Sequence, residues 1–98
     1  MKSIINHTED IVCEDEYEAE KLMWILSSNR QEYRLKSAAP VDEKEMIIVL
    51  SDDSSHSIVL LDEVSASRLH NIIQRILFEG KKLKSIQALK NVVFIQLG

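Results

Sequence analysis

Three histidines, one cysteine and a run of carboxylates are the residues of this chain best suited to chemistry. His56 follows Asp52 and Asp53 closely, the best arrangement in the sequence for holding a metal ion. Ser51, Ser54, Ser55 and Ser57 surround it, and that company reads as a polar hairpin loop rather than a ligand set. Cys13 and His7 are the other pairing to weigh, because an imidazole base can activate a thiol. In a hairpin turning at Thr8-Glu9, His7 pairs with Asp10 and Cys13 falls opposite Ile4, so the two side chains do not meet. Glu16, Glu18 and Glu20 are read on the solvated side of a helix, with no pocket implied. Gly80 and Gly98 are the only glycines, which excludes glycine-rich phosphate loops and the G-x-S-x-G elbow. No enzyme, metal site or cofactor is expected.

Two surfaces remain. At 100° per residue Trp24 lies almost above Tyr17 and away from the apolar stripe Ala19, Leu22, Met23 and Leu26, with Ile25 at its edge. Trp and Tyr are favoured anchors at interfaces, so Tyr17 and Trp24, flanked by Glu16 and Glu20, form the expected partner-binding face. The competing reading packs a neighbouring segment over Trp24. The second surface is basic: Lys81, Lys82, Lys84 and Lys90, with Phe94 nearby, would suit RNA or single-stranded DNA. Against it stands the net charge of −4. Charge is uneven, with six Lys/Arg against eleven Asp/Glu over residues 1–45 and six against five over 46–98.

The elements that position these residues follow from pattern. Lys2–His7 and Ile11–Glu14 read as a hairpin turning at Thr8–Asp10. Asp15 caps a helix running to about Ser28, with Ser27, Ser28 and Asn29 as its break. Glu32–Ala38, with Tyr33, alternates as a strand. Ala39-Pro40-Val41-Asp42 begins a linker. Met46–Leu50 and Ser57–Leu61 are unbroken apolar strands whose two faces both want cover. Asp62 caps a second helix ending near Gly80, with Ala66, Leu69, Ile72, Ile73, Ile76 and Leu77 inward and Phe78 packed near its end. Val92–Leu97 is a last strand, and Lys84–Leu89 is either strand or connector.

Residues 11–26 and 58–73 match one another at a constant offset of 47 positions: Ile, Val, Asp, Glu, Ala, Leu and Ile coincide. The expected fold is α+β: tandem duplicated ββαβ units at 1–38 and 46–98, joined by 39–45, making one mostly antiparallel sheet with two helices on one face. Ninety-eight residues suit one domain. The lone Cys13 forms no intramolecular disulfide, no secretory leader is read, and the longest apolar runs span about five residues. A cytoplasmic protein without membrane contact is expected, a homodimer through its sheet faces or edges. The expected function is a small protein-interaction module, a regulator or inhibitor of a larger bacterial or phage protein.

Overall fold

The computed structural model describes residues 8–27 and 34–98. The elements run β1 (Thr8–Val12), α1 (Glu16–Ser27), β2 (Leu35–Pro40), β3 (Glu45–Leu50), β4 (Ser55–Val59), α2 (Glu63–Phe78), β5 (Leu83–Leu89) and β6 (Val92–Leu97). Each helix starts on an aspartate. Asp15 Oδ1 accepts from Glu18 N and Asp62 Oδ1 from Ser65 N, both at 2.9 Å, satisfying an amide that the helix itself leaves unpaired. α2 stops where Gly80 turns left-handed at φ +70°, and Glu79 N and Lys81 N both donate to Arg75 O.

The strands form two antiparallel three-stranded sheets, ordered β1-β6-β5 and β2-β3-β4. α1 packs on β5 and β6, and α2 on β2 and β3. Each sheet-and-helix layer therefore combines a strand and helix from one half of the chain with a hairpin from the other. One continuous core joins the layers, with Ile11, Leu22, Ile48, Ile58, Leu69 and Ile95 among its buried members.

The bonds between the halves come in pairs. Glu14 N donates to Val59 O (3.0 Å) and Leu61 N to Val12 O (2.9 Å). Cys13 N donates to Asn91 O and Leu60 N to Lys44 O, both at 2.7 Å. Val12 N donates to Ser65 Oγ (3.2 Å) and Val59 N to Glu18 Oε1 (2.9 Å). A shift of 47 positions converts one bond of each pair into the other. Cys13 and Leu60, themselves so related, face each other in an isolated antiparallel bridge between the sheets. The hairpins carry a like feature one position further on, at an offset of 48 (83 − 35): register shifts fall between Leu35 and Ser37 and between Leu83 and Ser85, each within a Leu-Lys-Ser sequence.

The class is α+β with two helices, as expected, but two sheets stand in place of one. The element order among the described residues reads βαββ twice, not ββαβ. Thr8–Asp10 does not turn; it belongs to β1, paired with β6 from Thr8↔Gln96 to Val12↔Val92. Its acidic side chains stay partly exposed and meet cations from α2: Arg75 reaches Glu9 at 3.2 Å and Arg68 reaches Asp10 at 3.4 Å. Lys2–His7, the break at Ser28-Asn29, and Tyr33 lie outside the described residues. Of residues 39–45, Ala39 and Pro40 end β2 and Glu45 opens β3. The turn between them is held by Asp42 Oδ1, which accepts from Lys44 N and Glu45 N. Pro40 is tolerated because β2 is an edge strand. Lys84–Leu89 is strand, part of β5.

Candidate interaction surface

α1 buries Ala19, Leu22, Ile25 and Leu26, leaving Met23 half-buried. The core stripe is rotated towards Ile25 because α1 contacts β4 as well as β5 and β6. Opposite that stripe lie Glu16, Tyr17, Glu20 and Trp24, all exposed; Tyr17 shows 71% and Trp24 55% of its surface. The four expected partner-facing residues thus share one helix face. Lys21 borders it, its Nζ 5.3 Å from the centre of the Tyr17 ring. Trp24 meets His56 of β4 edge to face, ring centres 5.9 Å apart at 64°. The face is amphipathic: along it Glu16, Tyr17, Glu20 and Trp24 alternate carboxylate and ring.

Glu18 does not share that solvated side. Its side chain is 12% exposed and turned under the helix, where Oε1 accepts from Val59 N and pairs with Lys21 at 3.2 Å. β4 is an edge strand, and Glu18 satisfies an amide that no neighbouring strand reaches. Ser65, 3% exposed, does the same for Val12 N of β1. Residue type alone gave no sign of these roles, since a Glu and a Ser perform them. Only their equivalence at 47 positions links them.

His56 stands in a hydrogen-bonded loop. Ser54 Oγ lies 3.0 Å from His56 Nε2 and donates to Asp52 Oδ1 at 2.5 Å. These bonds from Ser54, first through its hydroxyl and then its amide, hold the Asp52 carboxyl below its usual range. The order is wrong for nucleophilic catalysis. The serine sits between carboxylate and imidazole, and its single proton goes to the carboxylate. Asp53 points to Lys36, at 2.6 Å. Among the described residues no group of three His, Cys, Asp or Glu side chains could hold a metal ion. Cys13 is fully buried. Burial first, then the charges of Glu18 and Asp15, push its thiol up to about 12, which keeps it protonated and unreactive.

The basic residues separate. Lys81 and Lys82 lie in the connection from α2 and Lys84 is the second residue of β5, whereas Lys90 occupies the turn beyond the far end of that strand. At about 3.3 Å per residue, Lys84 and Lys90 stand roughly 20 Å apart. Phe78 does not pack at the end of α2; it is 79% exposed. Arg75 is engaged with Glu9. Two adjoining clefts, of about 340 and 490 Å³, flank the acidic β2–β3 turn, sharing Asp42 and Glu43. Neither contains a residue of the α1 face. No helix among the described residues is long and apolar enough to cross a membrane. Comparison of the chain with protein-family models, with curated proteins and with solved structures finds no match.

Proposed function

We propose that this chain is a small non-enzymatic protein-interaction module, a regulator or inhibitor of a larger bacterial or phage protein, which it grips through the outer face of α1. The observation that carries this reading is the exposed pair Tyr17 and Trp24, opposite the helix's own core and flanked by Glu16 and Glu20. Rings of this kind bury much area at little entropic cost, and truncating such an anchor costs about 2 kcal/mol or more, roughly 30-fold in affinity. The carboxylates favour a partner with basic residues around an apolar notch.

The reading includes a duplication, framed as βαββ rather than ββαβ. The paired bonds at 47 positions and the two Leu-Lys-Ser irregularities support it. In that frame Trp24 is equivalent to Asn71 and Tyr17 to Val64, so the face in question is where the halves have diverged in chemistry.

The test compares the chain with its Tyr17→Ala/Trp24→Ala double variant as baits in lysate of the native host. Proteins held by the parent and lost from a double variant of unchanged melting temperature support the reading. A set of captured proteins identical for both baits sinks it. Oligonucleotide binding with steep salt dependence, abolished by charge reversal at Lys81, Lys82 and Lys84, would transfer the function to the basic segment.

A further inference from the structure

The geometry points to a chain built as a fused two-fold dimer of half-chains, able to exchange whole halves with a second copy of itself through the Ser51–Ser54 loop. Each sheet is made from both halves, β1 closing on β6 and β4 on β3. The contacts between halves are therefore core and strand ladder, not a rim. The only covalent crossing between them is the loop from β3 to β4. A second copy offers an identical half, so each inter-half bond can be remade across copies: from Glu14 N to Val59 O, Leu61 N to Val12 O, Val59 N to Glu18 Oε1 and Val12 N to Ser65 Oγ.

The loop has the features of a hinge. Asp53 N donates to Leu50 O and Leu50 N to Ser54 O, both at 2.9 Å, which leaves three residues, Ser51–Asp53, to reverse the chain. The third is Asp53 at φ +68°, a left-handed position that glycine occupies without the penalty of a side chain. Opening the loop into extended chain releases that strain and sets β3 and β4 in line. Short strained hinges favour exchange of identical elements between copies. In the unaltered chain, the high local concentration of the tethered half favours the closed monomer. Shortening the loop removes that option, since a hairpin needs at least two loop residues.

The test deletes Asp52 and Asp53 from the full chain, leaving one residue to turn. The expected product has twice the chain mass by light scattering, the parent's far-ultraviolet circular dichroism and an unfolding midpoint that rises with protein concentration. A folded monomer overturns the inference. A second arm keeps the loop intact and pairs two full-length variants, Leu22→Asp and Leu69→Asp, each with one half broken in the core. Unfolded together and refolded as a mixture, they should form dimers with one sound lobe, recovering about half the parent's helical signal where each alone recovers little. A deletion chain that does not fold, combined with no gain on mixing, overturns the inference equally.

Discussion

α1 and α2 hold the same station in the two layers, yet they use their outer surfaces differently. Both begin on an aspartate cap, both satisfy a strand-edge amide from the third residue after it, and both bury a leucine at the same point, Leu22 and Leu69. Beyond that they part. α2 spends Arg68 and Arg75 on the acidic strand β1, which belongs to the other layer, so its cations reach across to the sheet that α1 covers. α1 has Lys21 where α2 has Arg68, and Lys21 turns back to Glu18 and Tyr17. The positions that hold the fold are alike in role, and the outward positions differ in chemistry. A scaffold of near-equivalent halves thus supplies an internal control: what one helix has and its counterpart lacks is where to look for function.

The widest test of that comparison is in the core. Leu22→Ala and Leu69→Ala should each cost about 2–5 kcal/mol, by similar amounts, because each is fully buried. Urea unfolding should remain a single transition in both, since each layer needs strands from both halves. Two separable transitions would break the picture of joined layers.

Cys13 and Leu60 sharpen it at the bridge between the sheets. The Cys13 thiol is raised from 9.0 to about 12 in the folded chain. A raised folded value means that its contribution is complete below the unfolded pKa and is lost as pH climbs from about 9 towards 12, at about 1.4 kcal/mol per pH unit. Between pH 8 and pH 10.5 the parent should lose about 2 kcal/mol more than Cys13→Ala, measured by urea unfolding at both. Equal losses would mean that Cys13 ionises without hindrance in the fold.

The smallest effect belongs to the ion pairs. Both arginines are about half exposed, so a double-mutant cycle on Arg75 and Glu9 should give a coupling below about 1 kcal/mol that fades with salt. A coupling well above that would make these pairs part of what holds β1, and the contrast between the helices one of stability rather than surface.

Much of the fold could be read from residue order, and the reasons differ by element. Asp15, Asp62 and Gly80 announce helix ends because capping depends on local backbone geometry. β6 was legible from its β-branched run. Thr8–Asp10 was not, because its place in a sheet depends on the ladder with β6, more than eighty positions along the chain. The single sheet was misjudged for the same reason: pairing of β1 with β6 is a long-range choice that local pattern does not encode. The exposed face of α1 could be derived from helical period alone, since Trp24 stands opposite the core stripe. Glu18 was passed over on residue type, not on angle: it stands one turn before Leu22 and two before Ile25, so helical period itself sets it beside the buried stripe. The basic segment looked contiguous in sequence, and an extended strand then drew its ends apart.

The pairing of β1 with β6 sets a timetable for synthesis. A ribosome adds on the order of 5–20 residues each second, and domains often acquire structure as they emerge. Here β1 waits for β6: Thr8 has its partner in Gln96. The hairpin of β2 and β3 can form early, but α1 has no β5 or β6 to lie against until those strands are made. For several seconds the nascent chain carries a helix with an uncovered apolar stripe and a strand with two open edges. A chaperone, or a neighbouring copy on the same messenger, would meet that surface before the chain's own last strand does.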